Sequence, residues 1–164
     1  MDDLIVFAAK YLVFFVVLGL LVAWLLVKRQ FKLRFIIATV LAGMIALIIS
    51  RIASHLFYNP RPFVSQHITP LIAHAPDNGF PSDHALFTST LTMITFFYNR
   101  KISYAMAVLT LLVCIGRVLA HVHSPLDVIV GAAIGVASAA AAYFLTNWIF
   151  KKLQRASGQP ASDD

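Results

Sequence analysis

Hydrophobic residues form five long runs along this chain of 164 residues, and the polar residues are concentrated between the runs. A helix needs about 20 apolar residues to cross the hydrocarbon core of a bilayer. One of the five runs is short by that standard. The pattern predicts an all-α fold, a polytopic membrane helix bundle with about five transmembrane helices. The runs cover about residues 4–27, 33–57, 84–98, 102–121 and 125–150.

The polar stretches between the runs do not suggest a second domain. The longest of them, 58–83, contains five of the seven prolines and has no periodic pattern of its own. The last residues, 156–164, are small and polar, which is typical of disordered segments. We therefore expect one membrane-embedded domain over residues 1–155 and a disordered cytoplasmic tail over 156–164.

The composition supports a membrane protein and argues against a nucleic-acid partner. The chain is 60% hydrophobic and only 12% charged, whereas soluble domains carry about 25% charged residues. The formal net charge is +6, but most lysines and arginines lie in short clusters between the apolar runs. Such clusters fix the orientation of membrane proteins. The bilayer is therefore the expected partner of these charges.

The basic clusters also predict the topology of the chain. Nine of the thirteen lysines and arginines lie in residues 28–34, 99–101 and 151–155. These three segments fall on one side of the membrane if five helices alternate in direction. By the positive-inside rule that side is cytoplasmic, so the N-terminus is outside and the C-terminus is cytoplasmic. Loop 58–83 is then extracytoplasmic.

Three short stretches carry residue types that can bind and attack a phosphate, and all three fall at the predicted extracytoplasmic helix ends. Polar groups at such places in a membrane protein are costly and usually functional. Two arginines, two histidines, a serine and a carboxylate are what a protein needs for this chemistry, and the stretches supply all of them. The stretches are Arg61-Pro62, Pro81-Ser82-Asp83-His84, and Arg117 followed by His123 and Asp127.

The spacing around His123 suggests a positioned imidazole. Ser124 and Pro125 are typical of a helix start, which places Asp127 in the first turn. A carboxylate on one imidazole nitrogen leaves the other nitrogen free to attack or bind. Ser124-x-x-Asp127 is also a capping pattern, but capping explains neither Arg117 nor His123.

The two other stretches offer phosphate ligands and an acid. The stretch 81–84 stands at a predicted helix start, where backbone N–H groups attract anions. There Ser82 can add a hydroxyl and His84 can protonate a leaving oxygen. A plain helix cap with an incidental histidine is the alternative. Arg61 can bind phosphate through two N–H groups, or it can be a headgroup anchor.

The remaining polar residues suggest neither a metal nor a cofactor. The chain contains no glutamate, and four of its seven aspartates lie at the termini, so a two-metal carboxylate site is not expected. Cys114 lies in an apolar run and is interpreted as a small buried hydrophobe. His121 follows Arg117 by four residues and is expected near the same pocket.

Two further groups of residues receive structural interpretations. The histidines at 55, 67 and 74 are interpreted as solvated or headgroup-level side chains. A stripe of small residues lies along the last run, and we expect it to pack closely within the monomer. The stripe consists of Gly131, Gly135 and Ala139.

In the order and spacing of its motifs, the chain resembles the type-2 phosphatidic acid phosphatase superfamily, which includes bacterial undecaprenyl-diphosphatases. The resemblance covers about residues 51–127 by motif. It implies that His123 is the nucleophile, that Asp127 orients it and that His84 is the general acid. It further implies catalysis without a metal and phosphate ligands from Arg61, Arg117 and Ser82.

The chain departs from the family pattern at three positions. Ser54 stands where the family has a lysine, and Arg51, one helical turn earlier, is a candidate replacement that would bind phosphate. Gly116 replaces a phosphate-binding serine. Asp83 replaces a glycine, as in undecaprenyl-diphosphatases of the bacitracin-resistance type, and is expected to tune which phosphate form is accepted.

The resemblance implies a multi-pass lipid phosphatase of the bacterial plasma membrane with its site facing outward. It would cleave the terminal phosphate of undecaprenyl diphosphate through a phosphohistidine. Phosphatidylglycerophosphate or phosphatidic acid are alternative substrates for the same chemistry. A non-enzymatic transporter or lipid-binding protein is a third hypothesis, which predicts polar residues along the helices rather than at one end. The sequence predicts no oligomeric state.

Overall fold

The computed structural model describes residues 1–156, and this part of the chain is all helical, with no β-strand. Each of the five apolar runs forms a helix, so the predicted all-α fold is confirmed. A 3₁₀ turn, Arg29–Phe31, joins the first two helices. The helices are α1 Asp2–Leu26, α2 Lys32–Leu56, α3 Pro62–Ser65, α4 Asp83–Tyr98, α5 Arg100–Leu119 and α6 Pro125–Ala156.

Four of these helices are long and apolar enough to cross a membrane, which makes the protein multi-pass. They are α1, α2 with the preceding 3₁₀ turn, α5 and α6. The fifth predicted span is α4, whose 16 residues extend about 24 Å. The hydrocarbon core is about 30 Å thick. This short helix lies in the centre of the bundle, where α1, α2, α5 and α6 all contact it.

The basic clusters gather at one end of the bundle, as helix alternation requires. Arg34, in the first turn of α2, lies with its guanidinium 5.0 Å from the ring centroid of Phe150 near the end of α6. Which compartment this end faces stays a prediction. Helix α6 runs six residues beyond the predicted run 125–150 and includes Ala156. The rest of the predicted tail lies outside the described residues.

The small-residue stripe of α6 lets α4 approach its backbone, which confirms the predicted packing within the monomer. A Cβ atom added to Gly131 would lie 2.6 Å from the carbonyl oxygen of Ser82. One added to Gly135 would lie 2.5 Å from the carbonyl oxygen of Leu86. Only a residue without a side chain fits these positions. The contact seats the start of α4 directly on the start of α6.

Replacing Gly131 with valine is expected to lower the stability of the protein by about 1–3 kcal/mol, because overpacking forces the backbone apart. The clash falls on Ser82 and therefore on the start of α4. Thermal unfolding in detergent measures the effect. Ala133→Val is the matched control, because Ala133 lies on the same helix and is exposed. Equal unfolding temperatures for both variants would contradict the packing argument.

Asn78 anchors the proline-rich loop 58–83 to the end of α2. Its side-chain oxygen accepts hydrogen bonds from the backbone N–H groups of Asn59 and Phe80, both at 3.0 Å. Its side-chain nitrogen donates to the carbonyl oxygen of Phe57 at 3.0 Å. The side-chain amide of Asn78 therefore joins the backbone at residues 57–59 to the backbone at residue 80. The loop is ordered over the end of the bundle that carries the three motifs.

Candidate active site

A polar cavity of about 310 Å³ lies at the end of the bundle where the three motifs meet. Its walls come from α2, loop 58–83, the start of α4, the end of α5 and the turn before α6. Residues far apart in the sequence therefore share one space. The predicted site residues that line it are Arg51, Arg61, Asp83, His84, Arg117 and His123.

His123 is buried in the turn between α5 and α6, and its two ring nitrogens have different surroundings. Nδ1 lies 2.9 Å from the carbonyl oxygen of Gly79. A carbonyl only accepts, so Nδ1 carries the proton and donates it. Nε2 therefore keeps its lone pair. The guanidinium groups of Arg61 and Arg117 each place one nitrogen 3.4 Å from Nε2.

Asp127 is fully buried and makes its shortest contacts away from His123. Its Oδ2 accepts from the backbone N–H of Ser124 at 2.7 Å, and its Oδ1 accepts from the side-chain amide of Asn59 at 2.7 Å. The Oδ2 atom lies 3.8 Å from His123 Nδ1, which is beyond hydrogen-bond distance. The direct hydrogen bond to His123 Nδ1, which the sequence suggested for Asp127, is thus made by the carbonyl of Gly79.

The capping interpretation of Ser124-x-x-Asp127 is also realised. The backbone N–H of Asp127 donates to Ser124 Oγ at 3.3 Å, opposite the bond from Ser124 N–H to the carboxylate. The N–H groups in the first turn of a helix need acceptors. The carboxylate meets this need and therefore lies closer to the helix start than to the imidazole. Asp127 both caps α6 and places a negative charge behind His123.

Arg61 is fixed in the site by two strong hydrogen bonds. Its Nε donates to Asp77 at 2.7 Å, and an η nitrogen donates to the carbonyl oxygen of Val122 at 2.7 Å. The side chain is buried, so it is not a headgroup anchor. The hydrogen bond from Arg61 lowers the pKa of Asp77. The sequence alone suggested no role for Asp77, although Asp77 is one of three aspartates remote from the termini.

Arg117 reaches the same cavity from the last turn of α5 and is also buried. Its Nε has no hydrogen-bond partner within residues 1–156. Buried donors without a partner are rare in folded proteins and costly. An anionic ligand in the cavity would supply the missing acceptor. The unsatisfied Nε therefore leaves one donor for an acceptor atom of such a ligand.

Ser82 differs from the other predicted ligands because it lies behind the cavity wall. It is fully buried, and its backbone N–H donates to the carbonyl oxygen of Asp127 at 3.0 Å. Its hydroxyl has no partner among the described residues. Gly116, at the family's serine position, faces α1, because an added Cβ would lie 2.9 Å from the backbone nitrogen of Ala9. A side chain there would not reach the cavity.

For two histidines, the structure reverses what the sequence predicted. His121 is exposed and is not among the cavity residues, so its predicted place near the pocket is wrong. His74 was interpreted as solvated or headgroup-level, but it is half-buried and lines the cavity. Its ring centroid lies 6.2 Å from that of His123. Burial, followed by the charges of Arg61 and Arg117, lowers the pKa of His74.

The cavity of this membrane protein brings one histidine nitrogen together with two arginines. The Nε2 atom of His123 faces this cavity, and two buried guanidiniums lie beside it. The chain belongs to the PAP2 superfamily, whose family model matches residues 31–151. The family resemblance drawn from the motifs is therefore confirmed.

Two curated relatives resemble the chain over most of its length. It is 36% identical over 140 residues to the bacitracin transport permease protein BcrC of Bacillus licheniformis, covering 85% of this chain and 68% of that protein. It is 32% identical over 129 residues to the undecaprenyl-diphosphatase BcrC of Bacillus subtilis strain 168, covering 79% of this chain and 66% of that protein. The chain thus spans about two thirds of the length of both relatives.

A solved structure shares the fold. The crystal structure of Aquifex aeolicus LpxE superposes with a TM-score of 0.64 at 22% sequence identity. The match covers 85% of this chain and 81% of that chain. The helical fold is therefore shared with a protein of much lower sequence identity.

Proposed function

We propose that this protein is a lipid phosphatase that removes the terminal phosphate of undecaprenyl diphosphate through a phosphohistidine. The site would face outward from a bacterial plasma membrane. The observation that carries the proposal is the lone pair of His123 Nε2, which faces the cavity between Arg61 and Arg117. Membership of the PAP2 superfamily and the relative named undecaprenyl-diphosphatase support the reaction and the substrate.

In the first step, Arg61 and Arg117 hold the oxygens of the terminal phosphate, and His123 Nε2 attacks the phosphorus atom. Positive charges around the transferring group stabilise the charge on its oxygens. The bond from phosphorus to the bridging oxygen breaks, and His84 gives that oxygen a proton. Positive charge develops on the imidazole of His123, where the carbonyl of Gly79 and the carboxylate of Asp127 stabilise it.

In the second step, water hydrolyses the phosphohistidine. His84, now neutral, takes a proton from the water as its oxygen attacks phosphorus. The bond from phosphorus to Nε2 breaks, and the electron pair returns to His123. Inorganic phosphate and the lipid monophosphate are the products. His84 is protonated again for the next turnover.

One relative is named a transport permease, and transport remains the contrasting hypothesis. A polar path across the bundle would need hydroxyl groups free to serve it. The hydroxyls of Thr88, Thr90 and Thr95 in α4 instead donate to carbonyl oxygens four residues earlier in the same helix. The polar groups of the cavity lie at one end of the bundle. In α6, however, the buried hydroxyls of Ser138 and Thr146 have no partner within residues 1–156. The position of the cavity at one end of the bundle is therefore the observation that favours an enzyme.

Phosphate release by the purified protein in detergent and EDTA tests the proposal. Undecaprenyl diphosphate, phosphatidylglycerophosphate and phosphatidic acid should be compared. We expect kcat/KM for the diphosphate to be at least about tenfold higher, which corresponds to about 1.4 kcal/mol. Release from none of the lipids by folded protein would overturn the proposed activity. A preference for a glycerolipid would overturn the substrate alone.

The pH dependence should reflect the burial of His123. Burial lowers the pKa of His123 below 6.5, the charges of Arg117 and Arg61 lower it further, and the contacts with Asp127 and Gly79 partly oppose them. The nucleophile must be neutral, so activity is lost as the pH falls through this lowered pKa. We expect the acid limb of kcat/KM to have its midpoint below pH 6.5.

A pH series under conditions where chemistry limits the rate measures this midpoint. His74→Gln is the control, because the pKa of His74 is also lowered in the same cavity. The limb should persist in that variant. An acid limb centred above pH 6.5 would contradict the assignment to His123.

A further inference from the structure

An apolar groove of about 450 Å³ lies between α2 and α4 and adjoins the polar cavity. Arg51 and Asp83 line both spaces. The two therefore meet at a junction that these two side chains flank. The groove is otherwise almost entirely apolar, with walls that include Val40, Gly43, Leu47, Leu86, Phe87 and Leu91.

The groove continues along α2 away from the cavity. Thr39 and Val40 also line a second apolar space of about 300 Å³, which α1 closes with Leu20 and Trp24. This space extends to Phe35, sixteen residues before Arg51. Sixteen helical residues cover about 24 Å. An apolar track thus follows most of a membrane-spanning helix and begins at the polar cavity.

Arg51 has a free guanidinium at the junction. It makes no hydrogen bond or ion pair with any residue that the structure describes, whereas Arg61 is held by Asp77 and Val122. Asp83 lies at the same junction without an ion pair in residues 1–156. Its carboxylate opposes the binding of an anion there, so a cation is needed to offset that repulsion.

We propose that Arg51 binds the second phosphate of a lipid diphosphate, the one that stays with the lipid, and that the groove between α2 and α4 receives the hydrocarbon chain. This assignment rests on the proposed phosphatase function. Arg61 and Arg117 surround the nucleophile and so hold the terminal phosphate. The next phosphate lies towards the lipid, and Arg51 stands where the cavity opens into the apolar groove. Arg51 thus acts at a different phosphate from the family lysine that it was expected to replace.

Arg51→Gln tests the first half of the proposal. We expect kcat/KM for undecaprenyl diphosphate to fall at least tenfold. The inhibition constant of inorganic phosphate, which needs only the terminal-phosphate site, should stay within about twofold. Arg29→Gln is the matched control, because Arg29 is an exposed arginine in the 3₁₀ turn before α2, at the end of the bundle opposite the cavity.

Three results would count against the proposal. Equal losses for the diphosphate and for inorganic phosphate would place Arg51 at the terminal phosphate and overturn the proposal. An unchanged kcat/KM would overturn it as well. If the wild type released phosphate from no lipid, the proposed phosphatase function itself would fail, and this inference would fail with it.

Gly43 provides the test of the groove. No heavy atom lies within 4 Å of a Cβ added to Gly43, so a larger side chain can enter the groove without a clash at its base. We expect Gly43→Phe to lower kcat/KM for undecaprenyl diphosphate at least tenfold. Activity on dimethylallyl diphosphate, whose chain is too short to follow the groove, should stay within about threefold.

Gly43→Ala should show a smaller loss in the same direction, which guards against a misfolded phenylalanine variant. Ala137→Phe is the matched control, because Ala137 is an exposed small residue of α6 that lines none of the cavities described above. Equal losses on the long and short substrates would overturn the placement of the chain. Full activity of Gly43→Phe on the long substrate would do the same.

Discussion

Replacing His123 with alanine is expected to reduce phosphate release by at least about 10⁴-fold, as the loss of an enzyme's nucleophile does. His123 Nε2 is the nitrogen that faces the cavity with a lone pair, because Nδ1 donates to the carbonyl of Gly79. The two guanidiniums next to Nε2 remain in the variant. Substrate binding should therefore survive better than turnover, and KM should change far less than kcat.

A phosphoenzyme assay separates loss of the nucleophile from damage to the fold. Brief reaction of the wild type with terminally labelled substrate, followed by a denaturing quench, should leave acid-labile label on the protein. His123→Ala should carry none. His121→Asn is the matched control, because His121 is exposed in the same turn and has a φ of 61°, which asparagine tolerates. Label on the His123→Ala protein would disprove the assignment.

Replacing Arg117 with alanine should have the second largest effect, a loss of about 10³-fold in kcat. Arg117 is buried, points at His123 Nε2 and has an Nε without a partner among residues 1–156. It is therefore placed to satisfy its donors with phosphate oxygens as charge builds up on them. Arg117→Lys keeps the charge but loses the planar set of donors, so we expect a partial recovery.

Steady-state kinetics on the alanine and lysine variants measure both effects. Arg100→Ala serves as the control, since Arg100 stands at the opposite end of the same helix and is exposed. Its kcat should match that of the wild type. A wild-type kcat for Arg117→Lys would show that charge alone suffices. A wild-type kcat for Arg117→Ala would remove Arg117 from the chemistry.

The helices could be predicted from the sequence because apolar length is a local property. The five runs match α1, α2, α4, α5 and α6, and the short run at 84–98 corresponds to the short helix α4. The stripe that begins at Gly131 predicted close packing, and α4 is the helix it meets. Helix α6 continues beyond the apolar run that ends at about residue 150, because the basic residues that follow are also helical.

The partners of the motif residues could not be predicted in the same way. Gly79, His74 and Asp77 all lie in loop 58–83, which has no periodic pattern. Their contacts join residues 16 to 49 positions apart in the chain. Such contacts depend on how the loop folds over the bundle. The two histidines illustrate this limit, since His121 is exposed and His74 lines the cavity. The neighbouring sequence does not decide which side chain faces the cavity.

The sequence by itself determined the membrane bundle, the family and the residues whose spacing defines the motifs, since hydropathy and short-range spacing are written directly in the chain. Only the tertiary structure decided which atoms meet. It directed the N–H of His123 Nδ1 at the carbonyl of Gly79, turned Asp127 towards the helix start, and placed Arg51 between a polar cavity and an apolar groove. These outcomes depend on competition among distant hydrogen-bond partners for a few buried groups, and that competition is resolved only when the chain is folded.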